Sequence, residues 1–80
     1  MGCYPGYFAK FYGFGENQYA AINSLRINME KKCTKVGYYE SINKNKNFHN
    51  IKYVYKNVQY DAKIDLLYNE KRKIWGAFVY

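Results

Sequence analysis

Ile51-Lys52-Tyr53-Val54-Tyr55-Lys56-Asn57-Val58-Gln59-Tyr60-Asp61-Ala62-Lys63-Ile64-Asp65-Leu66-Leu67-Tyr68 is the stretch on which the fold turns. In its first part Ile51, Tyr53 and Tyr55 alternate with Lys52 and Lys56. In its second part Val58, Tyr60, Ala62, Ile64, Leu66 and Tyr68 alternate with Gln59, Asp61, Lys63 and Asp65. A period of two is the mark of a half-buried strand. The apolar positions switch from odd to even numbers between Tyr55 and Val58, which a regular strand cannot do. A two-residue turn at Lys56-Asn57 accounts for the switch, because it pairs Tyr55 with Val58, Tyr53 with Tyr60 and Ile51 with Ala62, and paired residues share a face. A bulge would also change the parity, but it requires one strand across all 18 residues, against a usual upper length of about 10. The reading is a hairpin with one apolar face, its second arm running to Tyr68.

Outward from this hairpin the punctuation is clear. Downstream, Asn69-Glu70-Lys71-Arg72 is a polar turn, and Ile74-Trp75-Gly76-Ala77-Phe78-Val79-Tyr80 is apolar on both pleat faces. Such a strand is central and paired on both edges, or it meets a partner chain, as in an edge-to-edge homodimer. Upstream, Val36 to Ile42 reads as a short strand, and Asn43-Lys44-Asn45-Lys46-Asn47 as a loop or hairpin tip. Residues 17 to 33 form an amphipathic helix: Tyr19, Ile22, Leu25 and Met29, with Ala21 and Cys33, recur at spacings of three and four, and Glu16 or Asn17 supplies the start. Tyr7 to Tyr12 reads as a first strand between Pro5-Gly6 and a break at Gly13-Phe14-Gly15. The expected architecture is α+β: one small antiparallel sheet of four or five strands, roughly β-α-β-β-β-β, with one helix packed on one face.

The length of 80 residues allows one small domain, here 1–80. With 49% apolar residues and 11 Tyr, 5 Phe and 1 Trp, the chain has enough burial to offset the entropy of ordering, which excludes intrinsic disorder. The sequence contains no apolar run of the ~20 residues that a bilayer span needs. Its N-terminus, Met1-Gly2-Cys3-Tyr4-Pro5, lacks the basic and apolar regions of a signal peptide, so the expected location is the cytoplasm, that of the host cell if the source is viral.

Thirteen Lys and Arg against six Asp and Glu give a net charge of +7. Lys31, Lys32, Lys35, Lys44, Lys46, Lys52, Lys56 and Lys63 face only Glu40 and Asp61 between positions 31 and 63, so this stretch carries most of the field. The partners this implies are nucleic acid or an acidic or nucleic-acid-binding protein; the bland alternative is a solvated surface in a Lys- and Asn-rich chain. Eleven of the cations are Lys and only Arg26 and Arg72 are guanidinium, which leaves little for bidentate reading of bases.

Chemistry-bearing motifs are sparse. Cys3, Cys33 and His49 do not make a zinc site, and neither metal nor cofactor is expected. Cys3 and Cys33 are free thiols in a cytosolic setting, or one disulfide in a secreted peptide. Met1-Gly2 without Ser or Thr at position 6 is a weak myristoylation signal. The aromatic segment before the helix has the logic of RNA-stacking sheets, yet Phe8 and Lys10 occupy positions that such a register gives to small and aliphatic residues. Gly13-Phe14-Gly15 can present N–H groups to a phosphate, or can be a plain strand-to-helix turn; Glu16 favours the turn. Asp61-Ala62-Lys63 has the acid-x-Lys half of nuclease motifs and also the alternation of an exposed strand face. Cys3 or Cys33 with His49 could form a nucleophile and base, but a catalytic triad lacks its other members.

The expected function is a non-enzymatic binding protein, of the kind phages and mobile elements encode, that occupies nucleic acid or blocks a nucleic-acid-handling protein. Lys44, Lys46, Lys52 and Lys56 would contact phosphates in the first mode, while Tyr53, Tyr55 and Trp75 would anchor a protein partner in the second. One alternative is a small ribonuclease toxin using His49, Arg72, Tyr80 and nearby lysines, and another is a secreted basic peptide bridged through Cys3 and Cys33.

Overall fold

The alternation described above becomes strands in a computed structural model, which describes residues 9–80. In chain order the elements are β1 (Phe11–Gly15), α1 (Gln18–Glu30), β2 (Lys35–Asn43), β3 (Lys46–Tyr55), β4 (Val58–Lys63), β5 (Asp65–Asn69) and β6 (Ile74–Val79). The class is α+β. The part of the expected first strand and the cysteine at position 3 that precede residue 9 lie outside the described residues. Among the described residues no helix is long and apolar enough to cross a membrane.

The single sheet expected from the sequence is replaced by two antiparallel sheets of three strands, β1-β6-β5 and β2-β3-β4. The arm Val58–Tyr68 is the reason. Its apolar alternation continues through Ala62, Ile64 and Leu66, but its hydrogen-bond partners change: β4 pairs with β3, and β5 pairs with β6. Ile64, 7% exposed, is the corner, and its N–H donates to the His49 carbonyl at 2.8 Å. Alternation reports which side of a strand is buried and carries no information about which neighbour it pairs with. The hairpin at its start has the register read from the sequence, with Tyr55↔Val58, Tyr53↔Tyr60 and Ile51↔Ala62. Lys56 and Asn57 have φ of 51° and 66°, and Lys44 and Asn45 of 52° and 65°, so both tight turns hold two left-handed residues, as a type I′ hairpin requires. The second of these turns narrows the expected loop at 43–47 to two residues.

β1 also differs from expectation. Gly13 and Gly15 do not interrupt it; they pair with Ala77 and Trp75. They are glycine because α1 lies directly on the strand: a Cβ at Gly13 would stand 2.1 Å from the Leu25 backbone nitrogen, and one at Gly15 would stand 2.5 Å from the Ala20 carbonyl carbon. Asn17 caps the helix by accepting from the Ala20 N–H at 2.8 Å, and Asn28 ties its far end to the Tyr12 carbonyl at 2.8 Å. The helix buries Ala21, Ile22, Leu25 and Met29; Tyr19, expected on that face, is 62% exposed. These four residues join Phe11, Cys33, Ile51, Tyr53, Ile64, Ala77 and Val79 in one core that spans the helix and both sheets. β6 is central, between β1 and β5, and both of its faces are buried from Gly76 to Val79.

Candidate nucleic-acid interface

In the sheet β2-β3-β4 one face joins the core and the other is open to solvent. The register puts Val36, Tyr38 and Glu40 of β2, His49, Ile51, Tyr53 and Tyr55 of β3, and Val58, Tyr60 and Ala62 of β4 on the core side. On the outer side lie Lys35, Gly37 and Tyr39, then Lys46, Phe48, Lys52 and Val54, then Gln59, Asp61 and Lys63. Every lysine within these three strands, namely Lys35, Lys46, Lys52 and Lys63, therefore falls on the same exposed face.

Two aromatic rings accompany these cations. The Lys52 ammonium sits 5.4 Å from the centroid of Tyr39, and the Lys63 ammonium 4.5 Å from that of Phe48. Tyr39 is 37% exposed. Asp61 is the one acid of the face, and the Tyr39 hydroxyl donates to both its oxygens at 2.8 and 3.0 Å, which pushes the Tyr39 pKa up. Asn50, buried beneath the face, donates to the Ser41 hydroxyl at 2.9 Å and so leaves no unpaired amide there. The surface is a pleated platform with a net positive charge and two rings under ammonium groups, chemistry suited to phosphates and stacked bases.

The residues singled out in the sequence divide among several places. Lys46 and Lys52 are on the platform. Lys44 and Lys56 sit in the turns at opposite ends of ten-residue β3, roughly 30 Å apart at ~3.3 Å per residue. Tyr53 is 3% exposed, stacks on Tyr60 at 5.0 Å and meets the edge of Phe11 at 5.6 Å, so its ring serves the core, and burial pushes its phenol pKa up. Tyr55, half-buried on the same inner side, has the Lys56 ammonium 5.3 Å from its ring centroid. Trp75 belongs to the other sheet, where it packs beside Tyr68 at 5.3 Å. Lys35, Lys63, Tyr39 and Phe48 were not singled out. For Lys63 the signal was present, since it falls in the polar half of the alternation with Lys52; Lys35 and Tyr39 needed the register of β2.

A second polar cluster lies on the inner side. The Tyr38 hydroxyl is 3.1 Å from Glu40 Oε1 and 2.5 Å from His49 Nδ1, and the His49 to Glu40 distance is 3.5 Å. One proton pattern satisfies all three groups: His49 Nδ1–H donates to the Tyr38 oxygen, and the Tyr38 O–H donates to Glu40. Tyr19 and Asn47 add donors to the same carboxylate at 3.3 and 3.4 Å. Burial, with the Glu40 hydrogen bond and charge, pushes Tyr38 up to about 12, while Tyr38 and Asn47 as donors hold Glu40 below the usual carboxylate range. Arg72 precedes β6 and Tyr80 follows it, so these two, expected beside His49, stand at opposite ends of that strand and apart from each other. Cys33 is a buried free thiol whose pKa burial raises. No group of three or more His, Cys, Asp or Glu side chains among the described residues could hold a metal ion.

No protein-family model, curated protein or solved structure matches this chain.

Proposed function

We propose that the protein binds nucleic acid, preferentially single-stranded, through the outer face of β2-β3-β4. The observation that carries this reading is the segregation of Lys35, Lys46, Lys52 and Lys63 onto one face with Tyr39 and Phe48, against the single carboxylate of Asp61. Lysine ammonium groups are compact charges that suit phosphates, and an exposed ring such as that of Tyr39 stacks on any base, so the mode is tolerant of sequence. A duplex-reading mode has less support, because the platform offers no protruding helix for a groove and no arginine fork for guanine.

Four phosphate contacts give an expected slope of about −3 in log K against log salt for a single strand, and loss of one lysine moves it by ~0.7. The test is fluorescence anisotropy of a labelled oligothymidylate across a salt series. Replacing Lys35, Lys52 and Lys63 by Gln together flattens the slope and weakens binding. Replacing Lys31, Lys71 and Arg72, which changes the net charge equally away from the face, leaves both nearly unchanged. Equal losses in the two triple variants would mean attraction to net charge alone and would end this reading. Retention of a discrete protein from nuclease-treated host lysate, with no binding to the oligonucleotide, would replace it with the protein-blocking mode.

A second reading, RNA cleavage, has one observation in its favour: His49 held by Tyr38 and Glu40. Its test is the release of cyclic-phosphate ends from RNA, lost in His49→Ala. The platform lysines lie on the opposite side of the sheet from this imidazole, which favours the binding reading.

A further inference from the structure

Glycine in a strand interior costs about 0.5–1 kcal/mol relative to alanine, so a strand glycine calls for a reason. Gly13 and Gly15 have one in the helix backbone against them. Gly37 has none among the described residues. It lies in the interior of β2, its pairing with Lys52 sits in a register unbroken from Lys35 to Asn43, its φ is not positive, and a Cβ there would meet none of the described residues within 4 Å. A glycine inside a strand marks a bulge, a tight bend or the close approach of another molecule to the backbone, and the continuous register removes the first two.

The missing side chain opens a hollow of about 320 Å³ whose lining includes Lys35, Gly37, Lys52, Val54 and Gln59. Its lining thus combines two lysines, an apolar valine, the bare backbone of Gly37 and a side-chain amide. We infer that this hollow is a subsite for one nucleotide of a bound single strand, an inference that rests on the nucleic-acid reading above. The phosphate lies between Lys35 and Lys52, the base lies flat on the Gly37 backbone against Val54, and the Gln59 amide faces the base edge. Tyr39, two residues along the same strand and on the same face, offers its ring to the neighbouring base.

The experiment compares wild type, Gly37→Ala and Gly37→Leu for binding to the labelled oligothymidylate and to heparin, a polyanion without bases. A Cβ at this position meets none of the described residues within 4 Å, and a leucine side chain projects from it into the hollow, so thermal melting of the variant stays close to that of wild type. Loss of one base contact, about 1–3 kcal/mol, corresponds to roughly 5- to 150-fold in affinity. The expected result is that loss for Gly37→Leu on the oligonucleotide, a smaller one for Gly37→Ala, an unchanged salt slope, and unchanged heparin binding. Wild-type affinity of Gly37→Leu for the oligonucleotide would overturn the subsite and leave the platform reading standing. Equal losses on heparin and oligonucleotide would also overturn it, since no base would then be involved. Failure of the wild-type protein to bind the oligonucleotide would overturn the platform reading and the subsite with it.

Discussion

Replacing Gly13 by alanine exchanges one hydrogen for a methyl group, and the structure makes that a severe change. The new Cβ would stand 2.1 Å from Leu25 N, 2.6 Å from the Ser24 carbonyl carbon and 2.7 Å from Leu25 Cα. All three are helix backbone, so no side-chain rotation relieves the overlap. Restoring ordinary contact moves α1 off β1 by more than an ångström, and a gap of ~0.5–1 Å forfeits a quarter to a half of each dispersion contact it opens. The contacts at risk belong to Ala21 and Leu25, each fully buried. Overpacking typically costs about 1–3 kcal/mol, and a rigid obstacle against a packed helix belongs at the upper end, so the expected loss is ~3 kcal/mol or more. A domain of this size holds ~4–12 kcal/mol in total. The corresponding fall in Tm is about 12 °C or more at ~4–8 °C per kcal/mol, measured by circular dichroism. Gly37→Ala in the same experiment supplies the opposite sign: no contact is made, and the backbone becomes less costly to order, for a gain of about 0.5–1 kcal/mol. If Gly13→Ala melted with the wild type, the close seating of helix on strand would be wrong.

Further outcomes follow from individual contacts. Asn17→Ala removes the acceptor that caps α1 and costs about 1 kcal/mol in urea denaturation, whereas Asn17→Ser recovers most of it. Ile64→Ala empties the corner between the sheets and costs ~2–5 kcal/mol, read in the same assay; an effect below ~1 kcal/mol would show that the corner is held by backbone alone. Tyr38 is held neutral until about 12 against an ordinary value of 10.0. A raised folded-state pKa contributes stability that is present below pH 10 and lost as pH climbs toward 12. Wild type should therefore lose more stability than Tyr38→Phe between those two values, and parallel losses in urea midpoints would refute the burial of a neutral Tyr38 phenol. Glu40 titrates in the opposite sense: its lowered pKa stabilises above the usual carboxylate range and is lost in acid, so the stability gap between wild type and Glu40→Gln should close as pH falls through that range.

The hairpin around Lys56-Asn57 was legible in the sequence because two constraints met there: the parity of the apolar residues fixed the faces, and the switch in parity fixed the turn. The helix was legible for the same kind of reason, with Ile22, Leu25 and Met29 on one stripe and Asn17 before it. Parity also sorts Lys52 and Lys63 onto the polar side of that hairpin. These are local properties, set by the pleat and the helical period within a few residues of one another.

What the tertiary structure decided is non-local. The arm from Val58 to Tyr68 looks the same whether it serves one sheet or two, since leaving one hydrogen-bond partner for another at Ile64 changes no side-chain parity. Gly13 and Gly37 are the same residue in strands of similar appearance, and only the arrival of the helix backbone over one and of no described residue over the other separates a packing requirement from an opening. Tyr53 and Tyr39 are likewise both strand tyrosines, one in the core and one on the outer face. The sequence alone determined that the chain forms a basic α+β domain with a hairpin at Lys56-Asn57. Which tyrosines fill the core, which lysines gather on one surface and where that surface opens depend on how distant segments pair, and pairing across a fold is written in contacts rather than in local pattern.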